Sequence, residues 1–437
     1  MDAFRRLPWP LLLSLPVVLA RFFPRPALLD ARTGAAASHA VLLFPAGHLL
    51  LTPLSILADW LNCNSLGQDA AFLAWVLLAY LVLLWRLGSS HPSPRGGARE
   101  REASPWRRIL LLSALYWLGA ASFIAWTLFF PRATARIALD DPDLLAVDFH
   151  SHSSYSWDGV KFFTPARNIA WHRSCGFGAA FITDHKTIAG ARAAFGLYAG
   201  SPPYASLEGE ELQEEGLHVV ILGTPPPVDP DAVGLAELIR LVAPASRKPG
   251  GTRKSSAGSG FGRGGGRNSI FFCAPEDWKR YAPETPARLA ALGTPGFEIF
   301  NTAPKPRGYP KALERSIVGL ARRKNLYLVA DSDNHGYGYA SCAWNVLRLP
   351  GWSSLAAPDL QGRILLKLHA DGFNAVEPVI RNHPALRGAS LLAEPWLSLW
   401  TLLRTFSAAQ SLAMLAWIWG LWGLTAGVMR HSSLTSC

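Results

Sequence analysis

Cysteine is sparse for a chain of 437 residues. The five present, Cys63, Cys175, Cys273, Cys342 and Cys437, stand far apart, with no CxxC pair and an odd total. That excludes a zinc ribbon and a dense disulfide framework, and it leaves the redox compartment undecided. Acidic residues are scarce as well, above all in the outer thirds, and the net charge of +11 invites a nucleic-acid partner. The location of the excess argues otherwise. Six arginines and two glutamates between 86 and 108 give +4, and six basic residues without an acid between 247 and 267 give +6, so the remainder is nearly neutral. No basic globular face is written here, and nucleic acid is not an expected partner.

What the chain has in abundance is apolar sequence: half of it is hydrophobic, with 17 tryptophans. Residues 1–39 carry an apolar run at 7–20 interrupted by Pro8, Pro10 and Pro16, and read as an N-terminal interfacial or anchor segment. Residues 40–130 read as a transmembrane region of about three spans, at 40–61, 70–85 and 109–130, with the basic loop 86–108 before the last. A C-terminal membrane region follows at 391–430. Its clearest span is 406–429, while 391–403 is followed by Arg404 and broken by Glu394 and Pro395. Basic loops stay in the cytoplasm. Five arginines in 1–39, none in 62–69, six in 86–108 and Arg430 after the last span therefore orient the intervening domain outward from the cytoplasmic membrane. The lipid bilayer is the expected partner of both ends.

Between the membrane parts, short apolar runs recur at 144–149, 179–183, 217–222, 270–273, 297–300 and 326–330. They alternate with helical patterns at 165–173, 231–242, 286–291 and 310–324, which is the signature of repeated βα units. The expected fold is α/β, a barrel or sheet, with its site at the carboxyl ends of the strands. Residues 246–268 are Gly, Ser, Lys and Arg with almost nothing apolar, and read as a flexible surface insertion. The GxGxxG match at 260–265 lies in this glycine-rich run with no strand leading into it, so it carries no nucleotide-binding meaning.

Chemistry gathers at the ends of the apolar runs. His150 and His152 are two apart, a spacing that puts both imidazoles on one side of an extended strand end, where they can share a metal ion. Asp158 follows, then Thr183-Asp184-His185, Glu208-Gly209-Glu210-Glu211, His218 and Asp331-Ser332-Asp333-Asn334-His335. One histidine at a strand end is more often structural than ligating. Recurrence at four separate runs is what points to a metal centre. Ser153, Ser154 and Ser156 read as a turn that binds backbone groups rather than as nucleophiles, and Cys175 and Cys273 as small buried residues.

These residues carry a resemblance to the polymerase and histidinol phosphatase (PHP) family of metal-dependent phosphoesterases, over about residues 144–382. Asp148-Phe149-His150-Ser151-His152 with Asp158-Gly159 resembles the first motif, an HxH followed by a Ser-rich turn and Asp-Gly. Phe181-Ile182-Thr183-Asp184-His185 resembles the second, Gly209-Glu210-Glu211 a Gly-x-Glu, Gly296-Phe297-Glu298-Ile299-Phe300-Asn301 a Gly-x-Glu-x-x-Asn strand, and Ser332-Asp333-Asn334-His335 a Ser-Asp-x-His.

The resemblance implies a distorted seven-stranded (β/α)7 barrel at 144–385 and two or three divalent transition metals, zinc, manganese or iron. It implies the ligands His150, His152, Asp158, His185, Glu211, His218, Asp333 and His335, with Asp184 behind them. One departure stands out. Where the family reads Ala-His-Pro after a strand, this chain has Cys273-Ala274-Pro275, so a third metal position loses a ligand unless His172, His369 or His383 replaces it. The expected activity is hydrolysis of a small phosphorylated substrate by a metal-activated hydroxide. The alternatives are a metal- or ligand-binding sensory domain without turnover, and a nuclease.

Overall fold

The computed structural model describes residues 9–89, 105–197, 203–214, 217–223, 234–242, 269–274, 285–302, 307–308, 311–382 and 392–434. The insertion 246–268, His383 and most of the basic loop 86–108 lie outside the described residues. The chain forms two units. One comprises residues 26–44 and 134–381, and the other comprises 1–25, 45–133 and 382–437.

In the first unit the apolar runs become strands. In chain order these are β1 (Leu28–Asp30), β2 (Ala40–Leu43), β3 (Arg136–Leu139), β4 (Leu144–Asp148), β5 (Ala179–Ile182), β6 (Ala205–Glu214) and β7 (Leu217–Gly223), then β8 (Ser269–Ala274), β9 (Gly296–Asn301), β10 (Arg307–Gly308), β11 (Tyr327–Asp331), β12 (Ala343–Arg348) and β13 (Glu377–Arg381). Eleven of them make one strongly curled mixed sheet in the order β1-β13-β12-β4-β5-β6-β7-β8-β9-β10, with β11 alongside β9. β2 and β3 pair separately.

The expected α/β class is present, and its sheet is strongly curled and mixed in strand direction. β4, β5 and β6 run parallel, as do β8, β9 and β11, but β6, β7 and β8 are antiparallel neighbours and β12 is antiparallel to β4. Only residues 215 and 216 separate β6 from β7. A hairpin fits in that space, whereas a parallel crossover needs a dozen or more residues.

β4, β5, β7 and β11 are buried along their whole length. Alternation explains how both faces are covered. Leu145, Val147 and Phe149 pack with Phe181, Leu207, Val220, Phe272 and Val329 under the helix Ala357–Asp371, while Leu144 and Ala146 pack on the other face with Ala180, Ile182, Trp171 and Trp344. The helix Pro165–Ser174 starts where Thr164 Oγ1 accepts the Arg167 amide, with Pro165 in its first turn. It stops at Gly176, whose φ of +89° and close approach to the Ile137 carbonyl suit only glycine.

The second unit is helical: Trp9–Ala20, Ala46–Leu50, Thr52–Cys63, Leu66–Ser89, Pro105–Phe129, Glu394–Arg404 and Ala408–Leu434. Among the described residues, Leu66–Arg86 and Arg107–Phe129 are long and apolar enough to cross a membrane. The expected span at 40–61 is not one helix. Its first residues form β2, and the rest is divided between two short helices with Pro45 and Pro53 at their starts. Val17, Ala20, Ile56, Leu403, Phe406 and Ile418 form this unit's apolar cluster. Asp59 lies buried between His48 Nε2 at 3.2 Å and Arg132 Nη1 at 2.5 Å.

Candidate metal centre

The centre is built where β4 and β11 end side by side. Beyond β4 the Phe149 amide donates to Asp331 Oδ1 at 2.9 Å, and the His152 amide donates to the Asn334 carbonyl at 3.0 Å. Beyond β11 the Asp333 amide donates to the His150 carbonyl at 2.7 Å. Asp333 sits at φ +45°, a left-handed conformation that few residues other than glycine adopt and that aspartate tolerates better than most. The two turns lock each other, so His150, His152, Asp333 and His335 are held by backbone bonds as well as by packing.

The structure brings all eight sequence-predicted ligands into three overlapping groups. The first is His152, Asp158, His185 and His335; the second is His150, His152, Glu211 and Asp333; the third is His185, Glu211 and His218. Within each group the candidate ligand atoms lie within 4.8 Å of one another. His335 Nε2 is 3.0 Å and His185 Nε2 is 3.2 Å from Asp158 Oδ2. Glu211 Oε2 is 3.0 Å from both His150 Nε2 and His152 Nε2, and its Oε1 contacts His218 Nδ1. Glu211, not Glu210, faces the centre: it is fully buried, while Glu210 is only partly so.

Other buried groups hold the ligands. Asp184 Oδ1 accepts the Ser153 amide at 2.6 Å and its Oδ2 accepts the Ser153 hydroxyl at 2.8 Å. Ser156 donates to Asp158 Oδ1 at 2.7 Å. The serine turn therefore binds backbone amides, of Tyr155 and His185, and carboxylates as well. His172 does not replace the missing ligand, because its Nε2 is 2.9 Å from Asp148 Oδ2 and its Nδ1 is 2.9 Å from the Asn168 carbonyl. His369 is exposed on the helix Ala357–Asp371. Lys161 is turned back onto the Ser156 carbonyl at 2.9 Å.

Glu298 was not among the expected site residues. From β9 its Oε1 lies 3.1 Å from His150 Nδ1, a contact that favours the proton on Nδ1 and would leave Nε2 to ligate a bound ion. Asn301 Nδ2 donates to Glu298 Oε2 and Asp333 Oδ2, both at 2.9 Å. The signal in the sequence is the Glu-x-x-Asn spacing of Glu298 and Asn301 at the end of an apolar run.

The electrostatics fit a cation centre. Glu211, Asp333, Glu298, Asp331, Asp148 and Asp184 are all buried in one region, and so many desolvated carboxylates need positive charge nearby. Burial works against charging His152, but hydrogen bonds to Asp333 and Glu211 outweigh it and push the imidazole up to about 9. His150 is likewise raised well above the usual range, by Asp333, Glu211 and Glu298 against its burial. The same contacts overcome burial and hold Glu211 and Asp333 low. Asp331 is raised well above the usual carboxylate range by burial and by the neighbouring Glu298 and Asp148 charges. His152 Nδ1 is buried without a hydrogen-bond partner. Buried imidazoles and carboxylates without a thiolate suit zinc, manganese or iron.

No family model matches the chain, and no curated protein does. Among solved structures, the chain is similar to an amidohydrolase from Chromobacterium violaceum with bound sulfate and no metal, at 17% identity over 47% of this chain and 92% of that one, with a TM-score of 0.30. It is similar to a two-domain protein from Bacteroides vulgatus containing a predicted PHP-like metal-dependent phosphoesterase, at 15% identity over 50% and 63% of the two chains, with a TM-score of 0.29. It is also similar to PsfC from Pseudomonas syringae, at 15% identity over 59% and 96%, with a TM-score of 0.34.

Proposed function

We propose that the chain is a membrane-anchored metal-dependent hydrolase of phosphate esters. The observation that carries this reading is the set of three ligand groups in which each pair shares one residue, a layout suited to neighbouring cations. Bound ions would supply Lewis acidity at a phosphate oxygen, a water of lowered pKa, and charge stabilisation for an in-line displacement. The chain's own residues aim the donors. Glu298 sets the His150 tautomer, Asn301 ties Glu298 to Asp333, and Ser156 orients Asp158.

Among the described residues, nothing in the centre is placed as a covalent nucleophile. Ser153 and Ser156 give their hydroxyl protons to carboxylates. Burial pushes the Cys175 and Cys273 thiols up to about 11 and about 12. Alanine at His150 or Asp333 is expected to abolish chelator-sensitive hydrolysis of aryl phosphate mono- and diesters while the protein still folds; unchanged turnover in either variant would sink the assignment. Ala274 favours a second reading, a sensory domain that retains metal and turns over no phosphoester.

The membrane part of the proposal is supported by exposure and by strand pairing. Leu66–Arg86 and Arg107–Phe129 are almost entirely unburied by protein, and exposed leucines and tryptophans recur from Leu412 to Leu424. β1 pairs with β13 and β2 with β3, so residues 26–44 and 134–381 lie on one side of any bilayer. An even number of crossings between 44 and 134 is then required, and two such helices are present. With the basic loop between them in the cytoplasm, the metal centre faces outward. Protease protection of residues 134–381 in right-side-out vesicles would refute that orientation.

A further inference from the structure

The three ligand groups cannot all be filled at once. The eight residues supply eleven places across the groups, because His152, His185 and Glu211 each appear twice. A carboxylate can serve two cations, one with each oxygen. A neutral imidazole has a single lone-pair nitrogen, since the other carries the proton, so His152 and His185 each serve one ion.

Geometry decides which. The donors of the second group are His150 Nε2, His152 Nε2, Glu211 Oε2 and Asp333 Oδ1. His150 Nε2 lies 3.0 Å from Glu211 Oε2 and 3.4 Å from Asp333 Oδ1, and His152 Nε2 lies 3.0 Å, 2.9 Å and 3.3 Å from Glu211 Oε2, Asp333 Oδ1 and His150 Nε2. A tetrahedral ion with ligands at 2.0–2.1 Å has donor-to-donor edges of about 3.3 Å. His152 Nε2 therefore belongs to the second group, which has four protein ligands. His185 Nε2, 3.2 Å from Asp158 Oδ2, joins Asp158 and His335 in the first group, which has three protein ligands and room for a fourth from solvent or substrate. His185 Nδ1, then protonated, faces Glu211 Oε2 at 3.4 Å as a donor.

What is left for the third group is His218 and one oxygen of Glu211. The residue directly across the β7–β8 pair from His218 is Ala274, and directly opposed residues of an antiparallel pair project from the same face of the sheet. Ala274 is buried and offers only a methyl group.

We propose that the centre holds two ions tightly, in the first and second groups, and that the third position has no resident ion because Ala274 supplies no ligand beside His218. This rests on the metal-centre reading but not on the substrate. A protein that holds two ions and hydrolyses nothing would sink the phosphoesterase reading alone.

The test is elemental analysis of the full chain in detergent, loaded with excess zinc and dialysed against metal-free buffer, without substrate. Wild-type protein should retain two equivalents and Ala274→His three. Three equivalents or one in the wild type would overturn the proposal, as would a folded Ala274→His protein that stays at two. If Ala274→His does not fold, His218→Ala decides. A count that stays at two supports the proposal, and a count that falls overturns it, since His218 would then be holding a resident ion.

Discussion

Stripping the centre of metal should make the protein's stability depend on alkaline pH in a way the loaded protein does not share. His152 titrates at about 9 in the folded, metal-free state against 6.5 for a free imidazole. Because the folded-state value is raised, its contribution to stability is complete below about pH 6.5 and is lost as pH rises through about 9. A shift of this size corresponds to roughly 3 kcal/mol. His150 is raised in the same direction and adds to the slope over that window. Residues 26–44 and 134–381 together make a unit of a size for which each kcal/mol moves Tm by about 2–4 °C, so the expected fall is roughly 6–12 °C between pH 6.5 and 9. With zinc bound, both imidazoles stay deprotonated and ligated throughout, and this source of pH dependence disappears. Scanning calorimetry of chelator-treated and zinc-loaded protein in the same detergent reads the difference directly. The gap in Tm between the two forms should widen by that amount; a gap that is constant or narrows with pH would refute the assignment of His150 and His152 as protonated partners of Glu211 and Asp333.

Three further outcomes follow from contacts around the centre. Glu298→Gln should weaken zinc affinity by about 10–100-fold in competition with a chromophoric chelator, since the group that orients His150 is lost while every ligand remains; unchanged affinity would assign Glu298 a packing role only. Gly190→Ala would place a methyl 1.9 Å from Asp184 Oδ2 and 2.5 Å from Ser153 Oγ, so metal retention should fall although neither residue is among the eight ligands. Cys175 and Cys273, raised to about 11 and about 12 by burial, should resist alkylation at pH 8 in the folded protein and react after denaturation; rapid labelling of either in the native state would contradict their burial.

The metal centre was legible because its residues are chemically unusual where they stand. Histidines and carboxylates closing apolar runs, as at His150, His185 and Asp333, are visible without any pairing information. β6 was not legible as a strand, because Glu208, Glu210 and Glu211 belong to a residue type depleted in strands. Only its pairing with β5 and β7 shows that Glu211 points inward. The mixed topology was hidden for a related reason: apolar runs show that strands exist but not which way neighbours run. β12 and β13 join the sheet beside β4, and no local pattern in residues 343–381 announces that long-range pairing. At 40–61 composition alone misled, since β2 pairs with β3 and half-buries Ala40 and Leu42 against the globular unit while reading as continuously apolar.

The pairing of β1 with β13 places Leu28–Asp30 against residues made some 350 positions later. During synthesis the first strand of the sheet has to wait, unpaired, until nearly the whole globular unit has been produced, which makes its closure a late folding event with a high entropic barrier. The same pairing governs how the protein can be cut. A fragment beginning at Thr134 keeps every residue of the metal centre but leaves the backbone of β13 open as a sheet edge, a template for association between copies. Solubility of such a fragment would therefore depend on carrying residues 26–44 along, fused or added in trans, even though that segment touches none of the chemistry.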